Sequence, residues 1–181
     1  MKSSFIKVLI FLFCANELFA NELDISAKNI SIDKKKDISI FQGDVIIKDE
    51  NNNVIKSDYA IYNNKQENIE VKGAATIVTS EGYKIETENL NYNKTKKIIL
   101  SKSSTEIHDP ENNKIYLDNF EYQANKNIFK SIGYIKVIDV SKNVYEFSQI
   151  YIDEKKKELV GTDSKAFLNQ EDFKTDKNNK P

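Results

Sequence analysis

The chain has 181 residues, of which 30% are charged and 39% hydrophobic, with 27 basic residues against 28 acidic ones and a formal charge of −1. Every basic residue is Lys, so the guanidinium forks that read phosphate and guanine are missing and nucleic-acid recognition is disfavoured. The length suits one domain, able to bury a core without disulfides or metals.

Residues 1–20, MKSSFIKVLIFLFCANELFA, have the form of a secretory signal peptide: Lys2 and Lys7, an apolar run from Val8 to Phe13, and Ala20 at a position suited to cleavage. The run is too short to span a bilayer comfortably. Bulky Phe13 before Cys14 makes a poor lipoprotein site. Cleavage after Ala20 removes Lys2, Lys7 and Glu17, leaving 25 Lys against 27 acids, a charge of −2, and no Cys. No disulfide is then expected, even in an oxidising compartment. The domain is expected over 21–168, followed by a polar C-terminal tail or linker over 169–181.

Beyond the leader the chain repeats. KIETENLNYN (84–93) places its apolar residues Ile85, Leu90 and Tyr92 at i, i+5 and i+7, which fits neither a plain strand nor a helix. The same spacing recurs at Ile25, Ile30 and Ile32; at Ile55, Ala60 and Tyr62; at Ile115, Phe120 and Tyr122; and at Tyr145, Ile150 and Ile152. The first residues of these sets lie thirty apart without a slip. Gly43, Gly73 and Gly133 keep the same beat, with Ser103 in the gap, and Ile47, Ile77, Ile107 and Val137 follow four residues later. A fixed period of this size signals a repeat architecture.

Each unit holds two strands of about ten residues and two polar turns. One turn series is 49–53, 79–82, 109–113 and 140–143; the other is 63–67, 93–97, 123–127 and 153–157. Asn, Asp, Gly and Lys favour tight turns there, while Ile, Val, Tyr and Thr suit the strands, which contain no Pro. About ten strands are expected between Leu23 and Leu168, with no helix. A bulge or bend midway along each second strand, near Ala27, Ser57 and Thr87, shifts the side-chain parity by one, so that both halves point inward. Leu117 and Phe147 fit that bend less well. The expected fold is all-β, a bent, solenoid-like β-jelly-roll of about ten antiparallel strands. Its interior is an apolar trough lined by Ile47, Ile55, Tyr62, Ile77, Ile85, Leu90, Tyr92, Ile107, Ile115, Phe120, Tyr122, Val137, Ile150 and Ile152. Such a trough either holds an apolar ligand or packs as the dry core of a solenoid.

The sequence offers little for catalysis. His108, the only His, lies beside Asp109-Pro110 and reads as a solvated turn residue. No Gly-rich phosphate loop is present. Asp58, Glu88 and Asp118 share one repeat offset and could form an acidic ladder for a metal or sugar, but Lys28 and Ser148 break it, which favours a solvated outer face. No metal site, catalytic residue or cofactor is assigned, and a carbohydrate-active β-helix lacks its carboxylate cluster. The lysines of the second turn series (Lys34 to Lys36, Lys65, Lys94, Lys96, Lys97, Lys126 and Lys155 to Lys157) line one edge, where solubility and contact with anionic headgroups are the two readings.

The unit G-x-V-x-I, polar turn, I-x-[AST]-D-x-x-x-Y-[ND], polar turn, best preserved in FQGDVIIKDENNNVIKSDYAIYNNKQENIEVKG (41–73), resembles the repeat of the OstA-like family, which comprises LptA and the N-terminal domain of LptD. The resemblance spans about 22–168 and weakens after residue 100. It implies a periplasmic carrier, in some members associated with the outer membrane, whose apolar groove, here the fourteen residues above, holds lipopolysaccharide acyl chains. It also implies edge-strand pairing with other jelly-roll domains of the same transport system or with a second copy, and a partner such as an LptD barrel or an LptC-like anchor. The tail KAFLNQEDFKTDKNNKP resembles the segment that links the LptD domain to its barrel, whereas the chain's length suits a free LptA-like bridge.

Overall fold

The computed structural model describes residues 23–49, 52–153 and 155–169. The expected signal peptide and nearly all of the expected tail lie outside these residues. Sixteen strands and no helix are found among the described residues. They form ten successive traverses, six of them broken near the middle. The first traverse is β1 (Asp24–Ser26) with β2 (Asn29–Asp33), followed by the unbroken β3 (Ile38–Lys48) and β4 (Val54–Asn63). Then come β5 (Asn68–Val71) with β6 (Ala74–Val78), β7 (Lys84–Glu88) with β8 (Leu90–Asn93), β9 (Ile98–Ser101) with β10 (Thr105–His108), and β11 (Lys114–Leu117) with β12 (Phe120–Gln123). The unbroken β13 (Ile128–Ile138) and β14 (Val144–Asp153) precede the last pair, β15 (Glu158–Thr162) and β16 (Lys165–Phe167).

Every traverse pairs antiparallel with the one before and the one after, so the chain is a plain meander. A crease divides the meander lengthwise into two leaves. The first leaf runs β1, the end of β3, the start of β4, β6, β7, β10, β11, the end of β13, the start of β14, and β16. The second runs β2, the start of β3, the end of β4, β5, β8, β9, β12, the start of β13, the end of β14, and β15. A single sheet with one apolar face must cover that face, and the crease folds it onto itself.

The crease is marked on all five first strands, by a bulge or a break, and on three of the five second strands, rather than on the second strand alone. Where β3 meets β4 the register slips between Gln42 and Val45, and where β13 meets β14 between Ile132 and Ile135, so the extra residue sits beside Gly43 and Gly133. Positive φ recurs at Gly43 (74°), Gly73 (79°), Gly133 (119°) and Asp163 (52°), thirty residues apart except at Ser103. The second strands break at Asn89 (φ 51°) and between β11 and β12, while β4 and β14 run through. Asp takes the fifth position because a short side chain tolerates the left-handed region.

Ser103 replaces Gly where the chain uses hydroxyls instead. Thr87 Oγ1 lies 2.8 Å from Ser101 Oγ and 2.9 Å from Thr105 Oγ1. Ser101 donates to the Glu88 carbonyl at 2.9 Å, and Thr105 to the Ser103 carbonyl at 3.0 Å. Thr87, Ser101 and Thr105 are all buried, and the network satisfies them, as burial requires.

The turns form two rims. On the first, Asp and Asn clamp three of the four turns: Asn53, Asn113 and Asn143 donate backbone and amide N–H to both carboxylate oxygens of Asp49, Asp109 and Asp139, at 2.7–2.9 Å, and in the fourth Tyr83 N donates to Thr79 Oγ1 at 3.1 Å. On the second, Asp37, Glu67, Lys97, Asn127 and Lys157 all have positive φ at thirty-residue intervals. Here Asn64 N donates to the Asp37 carbonyl, Lys94 N to that of Glu67 and Ala124 N to that of Lys97, binding each turn to the next.

Gly133→Ala would set a Cβ 2.7 Å from Asp118 Oδ2 at φ 119° and should destabilise the fold by roughly 1–3 kcal/mol. Gly73→Ala, with nothing within 4 Å at φ 79°, should cost only about 1 kcal/mol. Urea unfolding midpoints of the two variants check this order.

Candidate functional site

The interior is built from cross-strand rows. In the first leaf one row runs Ile25, Ile47, Ile55, Ile77, Ile85, Ile107, Ile115, Val137, Tyr145 and Ala166, each opposite the next. In the second leaf the matching row is Ile32, Ser39, Tyr62, Ile69, Tyr92, Ile99, Tyr122, Phe129, Ile152 and Leu159. The thirty-residue period, with no insertion between Ile25 and Leu159, keeps both rows continuous. Nearer the crease, Leu90, Phe120 and Ile150 fill the second leaf, and the Phe120 and Phe129 rings stack at 6.2 Å.

Thirteen of the fourteen predicted groove residues are buried in one apolar cluster, and Tyr62 is half-buried against it. Ile69, Ile99, Phe129 and Leu159, which follow the same beat, also face inward. Ile30 and Ile32 belong to the inward pattern yet are 53% and 67% exposed. They lie on β2, which among the described residues pairs with β3 alone, so no further described strand covers them. At the far end, among the described residues, β15 and β16 pair with β14 alone, and Phe167 and Leu168 are exposed. Both ends of each leaf therefore present unpaired strands.

The outer face carries the polar residues. Lys28, Asp58, Glu88, Asp118 and Ser148 are all exposed along the crease, as expected for a solvated face. Lys28 pairs with Asp44 at 2.6 Å, and Asp118 accepts the Tyr134 N–H at 2.7 Å. His108 ends a strand rather than sitting in a turn, because Asp109 opens the turn clamp. Its Nε2 lies 2.7 Å from Glu106 Oε1. Glu86, Glu106 and His108 bring their ligand atoms within 4.8 Å of one another. Sequence spacing hid this group because it joins neighbouring strands. Its carboxylates already have cationic neighbours, Lys84 at 2.6 Å from Glu86 and Lys114 at 3.9 Å from Glu106. The Lys84 hydrogen bond is the main cause holding the Glu86 carboxyl below its ordinary range.

Three surface concavities of about 510, 510 and 490 Å³ lie along the crease, and of the groove residues only Phe120 lines one of them. The core side chains of both leaves, such as Ile47, Ile107, Tyr92 and Tyr122, are almost wholly buried and pack in one apolar cluster. Tyr92 marks how tightly the rims close over it. Burial above all, then the Asp49 carboxylate of one rim and the Glu67 carboxylate of the other, push its hydroxyl well above the ordinary tyrosine range. An acid whose pKa is raised on folding stabilises the fold below its unfolded value of about 10, and that contribution is lost as pH rises further. The fall in stability above about pH 10 should therefore be shallower in Tyr92→Phe, as read from urea midpoints across that range.

The family model described as the LptA/(LptD N-terminal domain) LPS transport protein matches residues 24–158. A crystal structure of LptH, the LptA-homologous periplasmic component of the lipopolysaccharide transport device of Pseudomonas aeruginosa, is similar at 12% identity and a TM-score of 0.33, over 83% of this chain and 97% of that one. No curated protein matches the chain. With three quarters of its length matched, the chain belongs to the LptA/LptD N-terminal-domain family of lipopolysaccharide-transport proteins.

Proposed function

We propose that this protein carries lipopolysaccharide through the periplasm by sheltering its acyl chains between the two leaves. One observation carries the reading: two cross-strand rows, apolar at every step but Ser39, run through all ten traverses and end, among the described residues, on edge strands with Ile30 and Ile32 bare. Such ends suit strand addition by a second domain of the same kind, which would extend both the backbone ladder and the apolar rows. Family membership makes another copy, an LptC-like anchor or an LptD domain with its outer-membrane barrel the fitting partners. The first twenty residues serve as the export signal.

The protein's contribution is burial, not bond-making, and no enzymatic step is assigned to it. An acyl chain gains about 0.8 kcal/mol for each CH₂ removed from water. Lysines of the second rim, such as Lys36, Lys96, Lys126 and Lys156, stand at one repeat offset, where they would face the phosphates of the headgroup.

A second reading has its own observation. The groove residues pack against one another, so the interior also suits a dry structural β-solenoid. Replacing buried Leu90, or exposed Glu88, with a photo-reactive residue in a lipopolysaccharide-producing cell separates the two. The carrier reading expects a lipopolysaccharide adduct at position 90 and none at 88. A folded protein with no adduct at 90 would sink it in favour of the dry core.

A further inference from the structure

The outer face of the first leaf carries a group of side chains that a lipid carrier does not use. β7 and β10 run antiparallel, with Glu86 opposite Glu106 and Lys84 opposite His108. Ile85 and Ile107 between them point into the core, so residues 84, 86, 106 and 108 all point outward. Two carboxylates and an imidazole therefore converge on one patch. His108 Nε2 lies 2.7 Å from Glu106 Oε1, and one ligand atom from each of Glu86, Glu106 and His108 falls within 4.8 Å of the other two. His108 is the only histidine of the chain.

Like charges directly opposed weaken a sheet. Along the outward row from Lys56 through Thr76, Glu86, Glu106, Tyr116, Lys136 and Glu146 to Lys165, Glu86 and Glu106 are the one opposed pair of like charge. Lysines offset part of the repulsion, Lys84 at 2.6 Å from Glu86 and Lys114 at 3.9 Å from Glu106. Both are half-exposed, and exposed ion pairs contribute little, so either ammonium can swing into water at small cost. The Lys84 hydrogen bond above all, and the attraction of His108 across the joint as well, hold the Glu86 carboxyl below its ordinary range and keep it anionic at neutral pH. Glu86 and Glu106 also stand on the wall of one of the crease concavities, of about 510 Å³, together with Glu88 and Asp118. Four carboxylates on one open wall concentrate cations there.

One imidazole nitrogen with two carboxylate oxygens is a ligand set suited to zinc. Zinc bonds both at roughly 2.0–2.2 Å, which sets neighbouring ligands about 3.3 Å apart in a tetrahedron. Spacings of 2.7 Å and at most 4.8 Å are within a side-chain rotation of that value. Water from the concavity supplies the fourth position. Magnesium and calcium favour shells of oxygen alone, so the imidazole sets the preference.

We propose that Glu86, Glu106 and His108 form a zinc site that staples β7 to β10 on the outer face of the first leaf, the metal taking the place of Lys84 beside Glu86. The site does not depend on what the interior holds.

The test is a titration of the mature chain from Asn21 with Zn²⁺, followed by calorimetry. No affinity tag is left on it, so that His108 is the one imidazole and no Cys is present. One zinc ion should bind per chain. Glu106→Gln and His108→Ala, each checked for an unchanged fold, should weaken binding at least tenfold. Lys84→Gln removes the competing ammonium and should strengthen it at least twofold. Mg²⁺ or Ca²⁺ in hundredfold excess should not displace the zinc. Amide exchange adds a readout of the staple: zinc should slow β7 and β10 while leaving β4 and β6 unchanged. No saturable binding by the parent, or binding by His108→Ala equal to the parent's, overturns the site. Binding unchanged in Lys84→Gln shows that the metal is not at Glu86 and overturns it as well. Displacement by Mg²⁺ or Ca²⁺ means an acidic surface that gathers cations without selection, and exchange unmoved by zinc overturns the staple.

Discussion

The structure depends on one local departure from β geometry, repeated every thirty residues. A straight traverse of ten residues would send half of its side chains to each face. The extra residue beside Gly43 and Gly133, and the breaks at Gly73, Asn89 and Asp163, reset that alternation midway. Both halves of every strand then present apolar residues to the same side. Without the crease the row from Ile47 to Val137 and the row from Tyr62 to Ile152 would point in opposite directions, and neither could be buried by the other.

The rims follow from the crease. Once the sheet is folded, the chain reverses at two parallel margins, and each margin needs turns that do not compete with the strands. Asp–Asn clamps supply this on one side and left-handed residues on the other. Bonds from turn to turn then fix the spacing of the strands, which keeps Ile opposite Ile and Tyr opposite Ile. The packing is consistent across levels: local turn chemistry, register and burial all select the same arrangement.

Much of this was legible in the sequence because translation by thirty residues is a symmetry of the chain. Ile55, Ile85 and Ile115 could be assigned to one wall from spacing alone, and so could Leu90 and Tyr92 to the other. Two things were not legible. Asp163 hid among polar residues, since nothing in its identity separates a left-handed position from a surface one. Ile30 and Ile32 carry the inward pattern, and they are exposed because β2 has a strand on one side alone among the described residues.

The continuity of the two rows also bears on motion. A chain lying between the leaves and shifted by one repeat, two strands or about 9.6 Å, meets nearly the same wall again: Ile and Ile on one side, Tyr and Ile on the other. Its energy along the domain is therefore a corrugated track rather than a funnel. No deep well holds it at one position, and the barriers come from the few places where the wall departs from the pattern, such as Ser39 in one leaf and Val137 in the other. On the carrier reading, a surface of that kind would hold a hydrocarbon against water while letting it creep, so direction would have to come from whatever feeds one end and empties the other.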